Sequence, residues 1–122
     1  MYRSYDDVML EPQYSEVLSR RGIKIAPSFR IGPQKCQTVL LMQTPILSSP
    51  MDTVTDAKMA LTMYLEGGLG VLHRYNTIEE QVEMVNKMQG VCGGQLDVIA
   101  AAVGVTDDYI ERALELRKVG VN

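Results

Sequence analysis

The feature that most constrains the fold of this chain is a sequence pattern that occurs three times in succession: a short apolar run, a polar loop and a helix. The apolar runs begin near residues 45, 69 and 96, which gives steps of 24 and 27 residues. Steps of this size fit successive βα units whose strands lie parallel in one sheet and are joined by right-handed crossovers. The pattern predicts an α/β protein, in which the loops at the carboxyl ends of the strands form the ligand site.

The first unit contains the loop with the most polar chemistry. An apolar strand is predicted at residues 45–49, and it ends before Pro50, which has no N–H to donate to a neighbouring strand. Thr53, followed three residues later by Asp56, predicts a capping box for a helix at residues 56–66. The loop offers hydroxyls, a carboxylate and the thioether of Met51, which can pack on a flat ring. A turn followed by a helix cap accounts for the same residues equally well.

The second and third units follow the same order. Residues 69–72 predict a strand, residues 73–76 its loop, and Thr77 with Glu80 predicts a capping box for a helix that ends near Gly90. Residues 96–103 form a nearly continuous apolar run, which is typical of a parallel strand buried on both faces. The helix after this run is predicted to bury Ile110, Ala113, Leu114 and the aliphatic stem of Arg117.

The segment before these units has no sustained helical period. Residues 1–44 contain short apolar pieces separated by proline and glycine, which predicts an extended arm with one or two small strands. Asp6 and Asp7 are predicted to be turn or cap residues, because no neighbour would separate their pKa values as a catalytic pair requires.

Charge and cysteine content argue against several classes of protein. The formal net charge is -3, and no cluster of Lys and Arg indicates a nucleic-acid surface. No apolar run approaches the length of a membrane span, and the N-terminus lacks a signal sequence. Cys36 and Cys92 are too far apart for a C-x-x-C motif, and His73 is the single histidine, so no metal site is expected. These features predict a cytoplasmic protein with reduced thiols.

Two residues of the second loop are candidates for ligand binding. His73 and Arg74 could bind an anionic or ribose-bearing ligand; alternatively, a backbone carbonyl satisfies the imidazole and water solvates the guanidinium. The glycines of residues 67–70 do not form a dinucleotide fingerprint, because they precede a strand instead of following one. No catalytic nucleophile with an adjacent base can be named from these residues.

Several longer motifs resemble one enzyme family closely. They are YDDV at residues 5–8, SEVLSR at 15–20, TPILSSPMDTVT at 44–55, GGLGVLH at 67–73 and AAVGVT at 101–106. In this order they resemble the N-terminal part of IMP dehydrogenases, and the resemblance covers essentially the whole chain.

The resemblance implies both a fold and an activity. The fold is the N-terminal part of a (β/α)8 barrel, with an arm at residues 1–44 and about three βα units at residues 45–122. The activity is oxidation of IMP to XMP with NAD, through a covalent thioimidate on a cysteine, in a homotetramer.

The resemblance also implies roles for three residues. Ser49 and Met51 match positions that contact the IMP nucleotide, and Arg74 falls where the family's loop approaches the adenosine side of NAD. The catalytic cysteine loop, the phosphate-binding glycines and the potassium site match no residue of this chain and are expected after residue 122. This chain alone is therefore not expected to be active.

One departure from the family pattern leaves a sister family as an alternative. Residues 89–95 are too few to hold the pair of CBS modules that most IMP dehydrogenases carry at this point. GMP reductases, which convert GMP to IMP with NADPH on the same barrel, lack these modules too. They usually have Asn at the position of Pro50 and Lys at that of Arg74, so these two residues favour the dehydrogenase.

A third hypothesis belongs to a different class. Three βα units leave strand edges open, and an open edge tends to pair with another strand. The chain would then be a non-catalytic truncated barrel that assembles with itself or with a complete barrel.

Overall fold

A parallel sheet with a helix after each strand forms the centre of the protein. The computed structural model describes residues 4–31, 38–94, 96–105 and 107–121, so that Cys36 and Thr106 lie outside the described residues. In chain order the strands and α-helices are β1 (Ser28–Ile31), β2 (Thr38–Leu41), β3 (Leu47–Ser48), α1 (Ala57–Leu65), β4 (Leu69–Leu72), α2 (Ile78–Val91), β5 (Ala100–Ala101) and α3 (Tyr109–Lys118); two 3-10 helices, Tyr5–Asp7 and Arg20–Gly22, precede them.

The strand order of the parallel sheet is β3-β4-β5. Leu47 is paired with Leu69, and Val71 is paired with Ala100. Each crossover contains a helix, as parallel neighbours require. The predicted α/β class is confirmed.

The strand at residues 69–72 is confirmed, but the flanking strands are shorter than predicted. Residues 45–49 and 96–103 were expected, whereas the structure has Leu47–Ser48 and Ala100–Ala101. Within the described residues β3 and β5 each pair only with β4, which is four residues long and divides its length between them. The apolar character of 96–103 reflects burial instead: Val98 and Ile99 are buried although they precede the strand.

The helix starts follow local capping rules, with one correction. Asp56 alone caps α1, because its carboxylate accepts a hydrogen bond from the Met59 amide at 2.8 Å. The predicted capping box of Thr53 with Asp56 is therefore wrong: Thr53 lies three residues before the cap, in a turn. The capping box of Thr77 with Glu80 is confirmed, with hydrogen bonds of 2.9 and 3.2 Å between each side chain and the other residue's amide.

All three α-helices of the described chain end in the same way. The residue after each C-cap is a glycine with positive φ, a conformation that a side chain disfavours. The next amide then donates to the carbonyl three residues before the C-cap, which is the Schellman motif. The three pairs are Gly68 to Met63, Gly94 to Gln89 and Val121 to Leu116.

Two clusters of buried apolar side chains stabilise this arrangement. The larger lies between the sheet and the helices and contains Ala60, Leu72, Val85, Met88, Ile99 and Leu116. The smaller contains Leu40 and Met42 from the β2 end of the antiparallel β1–β2 hairpin, packed with Leu69 and Val98. Leu69 is the first residue of β4, so the hairpin covers the amino end of the sheet and leaves the carboxyl end open.

The buried face of α3 differs from the prediction. Ile110, Ala113, Leu114 and Arg117 are exposed, whereas Arg112 and Leu116 are buried. The spacing of the apolar residues indicated a stripe on the opposite side of the helix. The structure buries a charged residue instead because α2 and the adjacent loop supply hydrogen-bond acceptors for it.

No helix in the described ranges is both long enough and apolar enough to cross a lipid bilayer.

Candidate functional site

The loop after β3 turns sharply at the carboxyl end of the sheet. The Met51 carbonyl accepts hydrogen bonds from the amides of Val54 and Thr55, at 3.0 and 2.9 Å, and the Met51 amide donates to the Ser49 carbonyl at 2.8 Å. These bonds bring the chain from the strand to the Asp56 cap of α1 within a few residues. Ser49 and Met51 are consequently exposed on the outside of the turn, where Met51 retains 49% of its accessible surface.

A buried threonine holds this turn against the strand. Thr55 is fully buried, and its hydroxyl lies 2.6 Å from the Ser49 carbonyl oxygen and 2.8 Å from the Ser48 hydroxyl. A carbonyl can only accept, so the one Thr55 proton goes to Ser49 and the Ser48 hydroxyl donates in return. The predicted turn is present, and its polar groups are divided: the Thr55 and Ser48 hydroxyls are buried, whereas the Ser49 side chain is exposed.

The loop after β4 lies beside the first loop. The His73 amide donates to the Thr55 carbonyl at 3.4 Å, which joins the two loops directly. The His73 side chain is buried, and its Nδ1 accepts a hydrogen bond from the Tyr75 amide at 3.3 Å. The imidazole is satisfied by a backbone amide, where the sequence suggested a carbonyl.

Arg74 differs from its buried neighbour His73 in its exposure to solvent. It is exposed, and its guanidinium carbon lies 5.5 Å from the centroid of the exposed Tyr75 ring, in range of a cation–π contact. An exposed guanidinium beside an aromatic face can bind a phosphate or a ribose and can stack on a base.

The loop after β4 ends at the start of α2, where a carboxylate in the first helical turn is stabilised. The pKa of Glu79 is lowered, first because its carboxylate accepts from its own amide, and also because it accepts from the Thr77 hydroxyl. Burial of the group opposes this shift, and the positive charge of Arg112 adds to it slightly. These contacts stabilise the first turn of α2 and with it the end of the loop.

Two polar residues that were not predicted from the sequence, Gln81 and Arg112, connect the carboxyl end of β5 to the loop after β4. Gln81 is fully buried, and its amide nitrogen donates to the carbonyls of His73 and Ala102 at 3.0 and 2.9 Å. Arg112 donates to the Gln81 side-chain oxygen at 2.9 Å. Gln81 carried a signal, because it lies on the Ile78–Val85 face of α2, where a polar residue among apolar ones requires a buried partner.

The structure thus brings the three loops together at one edge through Thr55, Gln81 and Arg112. Ser49 and Met51 lie on the first loop and Arg74 on the second. Four surface hollows of the described residues lie along the helices or beneath the sheet. None of these four is lined by Ser49, Met51 or Arg74. The pocket expected between the loops stays a prediction. In the parts of the chain that the structure describes, no three His, Cys, Asp or Glu side chains cluster as a metal site would require.

Comparison with known proteins places the chain in a family. Residues 3–122 match the profile described as the IMP dehydrogenase / GMP reductase domain. An inosine-5'-monophosphate dehydrogenase of Rhodopirellula baltica is 38% identical over 91 residues, which are 75% of this chain and 15% of that protein. A similar enzyme of Aquifex aeolicus is 34% identical over 114 residues, covering 93% of this chain and 21% of that protein.

A relative with the other activity is similar to the same degree. A GMP reductase of Leishmania donovani is 44% identical over 86 residues, which are 70% of this chain and 16% of that protein. The chain therefore spans about a fifth or less of the length of these relatives. The match over residues 3–122 nevertheless shows that this chain belongs to the IMP dehydrogenase / GMP reductase family.

Proposed function

We propose that this chain is the N-terminal segment of a (β/α)8 barrel enzyme that oxidises IMP to XMP with NAD in guanine nucleotide biosynthesis. The observation that carries the proposal is the loop after β3, which exposes Ser49 and Met51 at the carboxyl edge of a parallel sheet in a domain of this family. In α/β folds, ligands bind at this edge. The catalytic cysteine is expected elsewhere in the protein, so the chain alone is not expected to be active.

Ser49 and Met51 have the chemistry that the nucleotide side requires. The Ser49 carbonyl is occupied by Thr55 and by the Met51 amide, while its side chain is exposed and can bind a polar group of the nucleotide. Met51 presents a polarizable thioether, which packs well on a purine ring. Because Thr55 holds the backbone of this turn from inside, the turn needs little reordering when a ligand binds, which lowers the entropy cost of binding.

Arg74 is assigned to the dinucleotide side. Its exposed guanidinium and the Tyr75 ring fit the ribose, phosphate and adenine groups of NAD, which combine anionic and flat surfaces. When bound, NAD supplies the hydride acceptor of the reaction. Arg74 would bind and orient the adenosine part. The potassium ion that the family resemblance implies has no matching ligands in this chain.

GMP reductase is the second candidate. The Leishmania donovani GMP reductase, 44% identical to this chain over 86 residues, supports it as an alternative. Pro50 and Arg74 favour the dehydrogenase, because reductases usually have Asn and Lys at these positions.

Steady-state assays of the complete protein decide between the two. We expect reduction of NAD in the presence of IMP, followed by the absorbance of NADH, and no oxidation of NADPH in the presence of GMP. The reverse pattern would assign the protein to the reductases. Activity in neither assay, from folded protein, would leave the non-catalytic assembly hypothesis.

Assembly is part of the proposal as well. Two apolar residues are exposed: Val105, beyond the carboxyl end of β5, and Leu114, on α3. Apolar surfaces of this kind are commonly covered by further chain or by another subunit. We propose a cytoplasmic homotetramer. Sedimentation of the complete protein tests this, and a monomer at micromolar concentration would contradict it.

A further inference from the structure

A buried arginine lies near the carboxyl end of the sheet, and all of its N–H groups donate hydrogen bonds. Arg112 is 6% exposed. Its Nε and Nη2 donate to the Asp108 carboxylate at 3.1 and 2.7 Å, and Nη2 also donates to the Asn76 carbonyl at 3.0 Å. Its Nη1 donates to the Gln81 oxygen at 2.9 Å and to the Thr77 carbonyl at 3.5 Å. These contacts use the five N–H groups that a guanidinium carries.

Gln81 extends the same network to the sheet. Both of its amide hydrogens are used, by the carbonyls of His73 and Ala102, and its oxygen accepts from Arg112. The network thus joins α3, α2, both ends of the loop after β4 and the end of β5. Polar networks that are fully satisfied in a low-dielectric interior hold one geometry strongly, because any displacement leaves a buried group unpaired.

The network acts on the loop that presents Arg74. Three of its carbonyl acceptors, at His73, Asn76 and Thr77, flank Arg74 and Tyr75 in sequence. Arg74 itself is exposed and takes no part in the network. The turn with Ser49 and Met51 is held separately, by the Thr55 hydroxyl.

We propose that Arg112 and Gln81 are positioning residues for dinucleotide binding: they hold the 73–77 loop so that Arg74 meets the cofactor. The inference rests on the proposed function. Neither side chain has a free donor to offer a ligand, so both act through the loop. Burial of a cation costs desolvation energy, and apolar residues in place of such groups are often neutral or stabilising, so stability alone gives no general reason for this arrangement.

The test compares three variants of the complete protein. Arg112→Lys keeps the charge and loses the fork of donors, since an ammonium cannot bond Asp108, Gln81 and two carbonyls in this geometry. Asp108→Asn removes the negative charge but keeps the size of the side chain and one acceptor oxygen for Arg112; this side chain is 41% exposed, so water can replace part of the lost contact. Arg117→Lys is the matched control, an exposed arginine on the same helix.

The expected result is a split between the two substrates. For Arg112→Lys, KM for the dinucleotide rises about tenfold, the effect of losing one or two charge-assisted hydrogen bonds, while KM for the nucleotide stays within about twofold. Asp108→Asn shifts KM for the dinucleotide in the same direction by about threefold. Arg117→Lys changes neither. A purely structural role would instead lower kcat through the active fraction and leave both KM values unchanged.

Two outcomes overturn the inference in different ways. Unchanged dinucleotide KM in folded Arg112→Lys or Asp108→Asn, or an equal rise for both substrates, overturns the positioning role while the wild-type activity stands. Wild-type protein that binds neither IMP nor NAD overturns the proposed function, and the inference with it.

Discussion

The Cα atom of Ala60 lies 2.3 Å from the position that a Cβ atom would take on Gly70. Gly70 is in the middle of β4 and Ala60 in α1, so the helix packs directly on the strand backbone. No rearrangement of a flexible side chain can relieve a contact with a backbone atom.

Gly70→Ala should therefore destabilise the protein strongly. The helix must move away from the sheet, and overpacking of this kind costs about 1–3 kcal/mol or more in the free energy of unfolding. Urea denaturation measures the difference. Gly90→Ala is the control: Gly90 lies within α2 and a Cβ there meets nothing within 4 Å, so this variant should gain about 0.5–1 kcal/mol from helix propensity. Equal effects of the two substitutions would contradict the packing argument.

Thr55→Val should loosen the turn after β3. The variant keeps the shape of the side chain but leaves the Ser49 carbonyl and the buried Ser48 hydroxyl without this partner, at a cost of about 1–3 kcal/mol in the free energy of unfolding. Affinity for IMP should fall as well, because the backbone that carries Ser49 and Met51 is no longer held in one conformation. Thr62→Val provides the comparison, since the exposed Thr62 hydroxyl donates only to the Lys58 carbonyl of its own helix. If both variants unfold at the same urea concentration, Thr55 does not hold the turn.

Met51→Ala tests the nucleotide side of the proposal directly. Loss of a ring contact should weaken IMP binding by about 1–3 kcal/mol, while the free energy of unfolding changes little because half of the side chain is already exposed. Calorimetric titration of the complete protein with IMP gives the affinity. Met59→Ala, at an exposed methionine on α1, should leave the affinity unchanged. Unaltered IMP affinity in Met51→Ala would remove this residue from the site.

Glu79 should titrate below its ordinary pKa of 4.5, chiefly because its own amide donates to the carboxylate and secondarily because the Thr77 hydroxyl does. The shift is downward, so the charged form contributes stability above pH 4.5 and that contribution is lost as the pH falls through the pKa of the folded protein. A carboxyl-detected NMR titration measures the value. In Glu79→Gln this pH dependence should disappear. A Glu79 pKa above 4.5 would show that the helix start does not stabilise the carboxylate.

The strand β4 and the capping box of Thr77 with Glu80 are local features, and the sequence predicted them at the correct residues. Both depend on residues within a few positions of each other, where spacing and geometry are directly related. The end of α2 was predicted less exactly, because the helix continues through Gly90 and ends before Gly93. The family resemblance, and with it the roles proposed for Ser49, Met51 and Arg74, also came from short continuous motifs.

The sequence by itself thus determined the order and the approximate positions of the parallel strands and helices, and which loops carry polar groups at the carboxyl end of the sheet. Only the tertiary structure decided which face of α3 is buried and how the three loops are joined. From the spacing along α3 alone, Arg112 is expected to be solvated and Ile110 to be buried. The structure reverses this because Gln81, 31 positions earlier, lies beside the guanidinium. Burial of a charge depends on acceptors contributed by distant segments, and no periodicity along one helix contains that information.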